Sequence, residues 1–173
     1  APFLSPFGSV VVQHDLLKNK LSDEQQELQI FLSGLAERCQ PFNLAPHFVH
    51  LAYEPLGYDA PLELADRKAA TTLLLCLQIS VARGSTRMPI FGQAGRDYCA
   101  PLFAALWPQG DERFASANEA LERALHLFTQ PQSLSALLVH QRDDGSQPAL
   151  PLVACAPYLY QQRLYRTEQH LLQ

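Results

Sequence analysis

The densest run of apolar positions in the chain lies between Pro61 and Arg83. In its middle, the five consecutive apolar residues Leu73–Leu77 leave no polar face for more than a turn, which is typical of a helix enclosed by other helices. Pro61 suits a first helical position, and Gly84 suits the left-handed residue that closes a helix. The pattern predicts a central buried helix over about residues 61–83.

An amphipathic helix is predicted before this one, over Asp23–Arg38. Ser22 and Gln25 have the spacing of a capping box, in which the hydroxyl accepts from a backbone N–H three residues on and the amide side chain reaches back. The apolar face of this helix repeats at i, i+3, i+4 and i+7 through Leu28, Phe31, Leu32 and Leu35. A separate short helix is expected before it, over Val10–Leu17.

A second capping-box spacing, Ser116 with Glu119, predicts a helix from Ala117 to about Phe128. Four residues make its apolar face: Leu121, Ala124, Leu125 and Phe128.

The remaining segments before residue 140 are rich in proline and glycine. Residues 40–61 are expected to form a connecting arm with one short helix over His47–Tyr53. Met88–Arg96 contains one proline and two glycines and is expected to be a loop, followed by a helix over Asp97–Trp107. Pro131 is expected to begin a short helical turn that runs through Leu138.

The apolar period changes near the end of the chain. Apolar residues flank Ala156-Pro157 on both sides, which predicts a β-hairpin over about residues 150–161, and a further helix is expected over Arg163–Leu172. Together these elements predict a mainly α fold, a compact multi-helix domain around the helix at about 61–83 with a small β-hairpin near the C-terminus. The 173 residues are expected to form a single domain.

Composition excludes some function classes and leaves others open. The net charge is −4, so no global basic field draws the chain to nucleic acid, and any such role must be local or indirect. The central run contains too few consecutive apolar residues to span a membrane, and the start of the chain lacks the basic region of a signal peptide. The four cysteines are widely spaced, which favours free thiols and a cytoplasmic location.

Two candidate sites carry residue types that bind ions. His47 and His50 lie one helical turn apart and are candidate metal ligands, although ordinary packing or solvent exposure is the favoured explanation. Arg83, Arg87 and Arg96 surround Gly84-Ser85-Thr86 and are candidate phosphate contacts, although a solvated helix end predicts the same residues. Asp143-Asp144-Gly145 is explained as a turn.

An aromatic and basic group near the C-terminus suggests a stacking platform for nucleic-acid bases. Its members are Tyr158, Tyr160, Tyr165, Arg163 and Arg166, and packing of a hairpin against a helix explains the same residues. The sequence contains neither G-x-S-x-G nor G-x-x-x-x-G-K-[ST], the signatures of a nucleophile elbow and of a nucleotide-binding P-loop. We therefore expect no catalysis by this chain alone, and no cofactor or metal.

Two segments resemble the N-terminal domain of the RecD family, the alpha subunit of exodeoxyribonuclease V in the RecBCD helicase–nuclease. The first is LVACAPYLYQQRLYRTEQHLL. It is similar to the family's segment in which an apolar strand, a tight turn, a Leu-Tyr strand and an Arg-x-aromatic-x-x-Glu helix follow one another. The second is the central helix with its Arg83-Gly84 end and Met88-Pro89-Ile90. The matching residues of the first segment are Leu159, Tyr160, Arg163, Tyr165 and Glu168.

The chain also departs from the family pattern at two turns. Gly84-Ser85 stands where the family commonly has Gly-His, and Ala156-Pro157 stands where it usually has Gly or Asp. The resemblance implies an N-terminal fragment that precedes an ATPase and helicase motor domain. It also implies a non-catalytic assembly role in DNA repair and recombination. The expected partners are RecC-like and RecB-like chains and the rest of its own subunit, with DNA contacted indirectly through the complex.

Three hypotheses follow. The first is this assembly domain, with Trp107, Tyr158, Tyr160 and Tyr165 as candidate partner contacts. The second is a stand-alone helical protein with a small-molecule or metal site near His47 and His50 or in the Arg83–Arg96 loop. The third is direct binding of single-stranded DNA through the hairpin.

Overall fold

The computed structural model describes residues 6–54, 56, 62–109, 114, 116–130, 134, 138–140, 152–155 and 158–161. The predicted helix Arg163–Leu172, with Tyr165 and Arg166, and the predicted turn at Asp143-Asp144-Gly145 lie outside these residues. The helices are α1 (Pro6–Cys39), a 3-10 turn (Gln40–Phe42), α2 (His47–Tyr53), α3 (Leu64–Ala82), α4 (Gly92–Leu106) and α5 (Ala117–Thr129). The strands are β1 (Arg87–Pro89), β2 (Leu138–His140), β3 (Leu152–Cys155) and β4 (Tyr158–Gln161).

Helix α3 confirms the predicted central helix. Its residues from Lys68 to Leu77 are all buried, and it packs against α1, α2, α4 and α5. Its buried hydroxyls bond within the helix, as Thr72 Oγ1 shows by donating to the Lys68 carbonyl at 2.8 Å, so they add no unpaired polar group to the core. The helix ends where predicted, because Gly84 has φ +93° and Ser85 N donates to the Ser80 carbonyl at 3.0 Å.

Helix α1 corrects the prediction of two separate helices. It runs unbroken from Pro6 to Cys39, so Ser22 lies inside a helix rather than at its start. Residues 9–33 contain neither glycine nor proline, so nothing in that stretch breaks the backbone ladder. A capping-box spacing that lies within such a stretch does not begin a helix.

Helix α4 begins five residues earlier than predicted, at Gly92 rather than Asp97. Gly92 takes φ +63°, and Gly95 packs so tightly that a Cβ built on it would lie 2.7 Å from the Ile90 Cα. Both glycines are therefore used for helix entry and close packing, and not for a loop. The predicted loop is replaced by strand β1 and the first turn of α4.

Helices α2 and α5 match their predictions. α2 covers the predicted residues His47–Tyr53. At the start of α5, the Ser116 hydroxyl accepts from Glu119 N at 3.2 Å, which is the cap that the sequence predicts. α5 packs its apolar face against α3 and α4.

The predicted hairpin is confirmed as β3 and β4, which pair antiparallel with Cys155 opposite Tyr158. It is the centre of a larger sheet with the strand order β1-β4-β3-β2. β1 pairs antiparallel with β4, and β2 pairs parallel with β3. Leu138, predicted at the end of a helical turn, lies in β2 instead; residues 131–133 and 135–137 of that turn lie outside the described residues.

One continuous core joins the helices to the sheet. It runs from Leu28 on α1 through the interior of α3 to Phe103 on α4, Phe128 on α5 and Leu159 on β4. Within the described part of the chain, no helix is long and apolar enough to cross a membrane.

Candidate functional site

The end of the central helix brings two exposed arginines onto aromatic rings. Arg83 closes α3, and its guanidinium carbon lies 5.5 Å from the centre of the Phe42 ring. Arg87 begins β1, and its guanidinium carbon lies 4.0 Å from the centre of the Tyr158 ring. We name Phe42, Arg83, Arg87 and Tyr158 the arginine–aromatic end. Arg83 and Arg87 are candidate phosphate contacts, whereas Tyr158 belongs to the candidate stacking platform. The structure therefore brings together residues of two sites that the sequence predicts separately.

Strand register explains why Arg87 meets Tyr158. Arg87 lies opposite Tyr160 and Pro89 lies opposite Tyr158, so all four residues share one face of the sheet because side chains alternate along a strand. The Tyr158 and Tyr160 rings are 6.2 Å apart and meet edge to face. Tyr158 is half-buried, whereas Tyr160 is only 4% exposed, so Tyr158 is the hairpin tyrosine at the surface.

Arg96 does not join the other two candidate phosphate contacts. It lies on α4 and donates to both carboxylate oxygens of Glu122 on α5, with Arg96 Nη2 at 3.3 Å. This hydrogen bond raises the pKa of Arg96. The pair borders a polar concavity of about 260 Å³ that also contains His126 and the Gly92 backbone. With its charge matched by Glu122, Arg96 is a poorer phosphate contact than its sequence position indicates.

The two candidate metal-binding histidines are exposed on α2. His47 stacks on Phe48 with ring centres 4.5 Å apart, and both histidines border a shallow groove of about 180 Å³ between α1 and α2. Among the residues that the structure describes, no group of three or more His, Cys, Asp or Glu side chains is placed to hold a metal ion.

Trp107, a candidate partner contact, belongs to the core. It is 5% exposed and stacks on Phe103 with ring centres 5.5 Å apart. Phe31 and Phe114 meet its ring edge to face at 5.6 and 5.7 Å. Its size and aromaticity suit either an interface or a core, and these contacts assign it to packing.

The described thiols are poor nucleophiles. Cys39, Cys76 and Cys99 are free and buried, as the spacing of the cysteines predicts. Burial raises the pKa of Cys76 well above its ordinary value and raises the pKa of Cys99 to about 12, while Cys99 Sγ donates to the Pro89 carbonyl at 3.4 Å. Since the thiolate is the reactive form, a raised pKa disfavours reaction of these thiols near neutral pH.

The other end of α3 carries charges that are matched by carboxylates. The Lys68 ammonium lies 2.8 Å from Glu27 on α1, and the Lys68 side chain is only 6% exposed. Arg123 on α5 donates to both oxygens of Asp66 at 2.8 and 2.9 Å. We name these four residues the ion-paired end.

Sequence reasoning missed Phe42 as a functional candidate. It lies far from Arg83 in the chain, in the 3-10 turn after α1. No local pattern links the two residues, because they meet through the tertiary packing of α1 and α3.

Comparisons with protein-family models, with curated proteins and with solved structures give no match for this chain. The structure itself shows a mainly helical fold with a small sheet at the C-terminal end of its central helix.

Proposed function

We propose that the chain is the non-catalytic N-terminal assembly domain of a RecD-like subunit of a DNA-repair helicase–nuclease, and that it docks onto a RecC-like partner. The observation that carries this proposal is the pairing of β1 with β4, Met88 opposite Leu159. The two segments that resemble the RecD family are distant in sequence and yet form neighbouring strands of one sheet. If the two segments resembled the family only by chance, there would be no reason for them to be neighbours in the fold.

The chemistry of the described residues agrees with an assembly role. The thiols of Cys76 and Cys99 are buried and protonated at neutral pH, and the Arg96 charge is matched by Glu122. The two concavities bordered by candidate residues are shallow, at about 260 and 180 Å³, below the usual range for small-molecule sites. These features favour a protein that contacts other proteins.

Two side chains are the best docking candidates on the described surface. Ile30 on α1 is 70% exposed and Leu51 on α2 is 52% exposed, and they are the exposed large hydrophobic residues there. An exposed isoleucine or leucine gains free energy when a partner removes it from water. They take the place of Trp107 and Tyr160, whose side chains are buried.

Co-expression with the RecC-like and RecB-like chains of the same source tests the proposal. We expect the 173-residue chain to elute with the RecC-like chain as one complex in size-exclusion chromatography. Ile30→Glu or Leu51→Glu should weaken this complex, because each places a charge in the contact. Gln26→Glu, one turn before Ile30, adds the same charge at another exposed position and is the matched control.

The outcomes test the assembly role and the two proposed contact residues separately. Separate elution of the unaltered chain from both partners would contradict the assembly role. A stable complex with both Ile30→Glu and Leu51→Glu would retain that role and exclude these two residues as the contact.

A further inference from the structure

A groove lies at the surface between the second half of α1 and helix α2, and we name it the α1–α2 groove. Its α1 side is formed by Gln29, Leu32, Ser33 and Ala36, and its α2 side by Pro46, His47, Val49 and His50. Its floor is apolar, since Leu32 and Val49 are buried residues of the core. At about 180 Å³, the groove has room for a side chain of a partner rather than for a small molecule.

The two exposed large apolar residues of the described surface lie beside this groove. Ile30 follows Gln29 on α1 and is 70% exposed, whereas Leu51 follows His50 on α2 and is 52% exposed. Single exposed apolar residues are common on protein surfaces, but these two border one groove with an apolar floor. A partner segment that lies along the groove is therefore placed to cover both side chains.

The acidic charge of the chain is concentrated on the same two helices. Residues 23–54 contain five acidic residues and one basic residue, and their formal charge of −4 equals the net charge of the whole chain. The basic residue, Arg38, contacts α4, where it donates to the Leu106 carbonyl. One of the acidic residues, Glu27, is matched by Lys68 on α3.

Three of the other acidic residues share helix faces with the exposed apolar residues. Asp23 and Glu37 lie seven residues before and after Ile30, so the three follow one another along one face of α1. Glu54 lies three residues after Leu51, at the C-terminal end of α2. The three carboxylates are exposed and form no ion pair with the described part of the chain. They give the apolar surface an acidic rim.

We propose that the α1–α2 groove binds an amphipathic helix of a protein partner, one whose apolar face is bordered by lysine or arginine. The proposal rests on the assembly role proposed above and adds the chemistry of the partner segment. A helix fits because its side chains form ridges that pack into the groove between two other helices. The acidic rim selects a basic border, and it repels the phosphates of nucleic acids and of anionic membranes.

A synthetic helical peptide of about 18 residues, with leucine on one face and lysine on the other, tests the groove. Titration into the ¹⁵N-labelled 173-residue chain, followed by NMR, should shift the amide signals of residues 26–37 and 47–54 most strongly. We expect a dissociation constant of about 10–100 µM at low salt, and weaker binding as salt rises. A control peptide with the same leucine face and glutamate in place of lysine should bind about tenfold more weakly or less.

Variants of the chain test the acidic rim. Asp23→Lys and Glu37→Lys should each lower the affinity for the lysine peptide about threefold, and about tenfold when combined, because they place positive charges on both sides of Ile30. Asp97→Lys is the matched control, since it makes the same change at an exposed residue of α4 that accepts from Gln93 at 2.7 Å, and it should leave the affinity within about 1.5-fold. Thermal unfolding of each variant checks that the fold is intact.

Several results would overturn the proposal. These are amide shifts that are largest outside the two groove segments, equal affinity for the lysine and glutamate peptides, and equal effects of Glu37→Lys and Asp97→Lys. Full-strength binding of the RecC-like chain by the combined Asp23→Lys and Glu37→Lys variant would also overturn it. The peptide measurements require no partner protein, so failure of the unaltered chain to bind the RecC-like chain contradicts the assembly role separately.

Discussion

The basic side chains at the two ends of the central helix contact different kinds of group. At the ion-paired end, Lys68 and Arg123 contact the carboxylates of Glu27 and Asp66 at 2.8 Å. At the arginine–aromatic end, Arg83 and Arg87 contact aromatic rings at 5.5 and 4.0 Å. Arg83 follows Lys68 by 15 residues along α3, or about 22 Å along the helix axis.

The difference lies in how much each kind of contact contributes to the packing of the helices. An ion pair between helices uses its charge within the molecule, so the Lys68 contact ties α1 to α3. A guanidinium over an aromatic ring at an exposed site contributes about 0.5–1 kcal/mol. Loss of the buried Lys68 contact at the ion-paired end should therefore cost more stability than loss of a ring contact at the arginine–aromatic end.

The largest effect that distinguishes the ends is expected from Glu27→Ala. This substitution removes a carboxylate that contacts Lys68, whose side chain is 6% exposed, and should lower the free energy of unfolding by about 2 kcal/mol. Urea denaturation measures this change, followed by the fluorescence of Trp107, which is the single tryptophan and is buried.

The double variant Glu27→Ala with Lys68→Met is the control for that prediction. It removes both charges, so part of the lost stability should return. Equal stability of Glu27→Ala and the unaltered chain would show that the ion pair contributes nothing to the packing of α1 on α3.

Gly84→Ala should give a smaller loss at the other end of α3. Gly84 has φ +93°, and a Cβ there meets no atom within 4 Å. The cost is therefore conformational, about 1 kcal/mol, and the same urea denaturation measures it. Gly34→Ala is an unsuitable comparison, because a Cβ there would contact the Arg38 guanidinium; Ser85→Ala, one residue on, is the better control. Unchanged stability of Gly84→Ala would show that the turn relaxes to another conformation.

The smallest stability effects are expected from Arg123→Gln and Arg83→Gln. Each removes one contact of a largely exposed arginine, so each should change the free energy of unfolding by about 0.5 kcal/mol or less. High salt should reduce the difference between Arg123→Gln and the unaltered chain, because salt screens an exposed ion pair. A decrease in the free energy of unfolding several times larger for Arg83→Gln would show that Arg83 contributes to packing.

Sequence patterns predict the elements whose information is local. The Ser116 cap, the unbroken apolar run in α3 and the hairpin around Ala156-Pro157 each depend on neighbouring residues, and the structure confirms all three elements. The start of α4 was not predictable in this way, because the use of Gly95 depends on its contact with Ile90. β1 is a three-residue strand that contains Pro89, and its pairing with β4 is what defines it.

The candidate site was predictable only in parts. Arg83 and Arg87 are visible in the sequence as basic residues around a turn, and Tyr158 as an aromatic residue of a hairpin. Their meeting depends on the pairing of β1 with β4, and the contribution of Phe42 depends on the packing of α1 beside α3. Trp107 is a different case. Its residue type suggested a partner contact, but residue type alone does not distinguish a core aromatic from an interface aromatic.

Direct titration of the purified 173-residue chain into the purified RecC-like partner is the strongest test of the proposed function. Isothermal calorimetry should give one binding site per partner, with a dissociation constant of about 1 µM or tighter, and a negative heat-capacity change from burial of apolar surface. Absence of binding at concentrations of about 100 µM would contradict the assembly role.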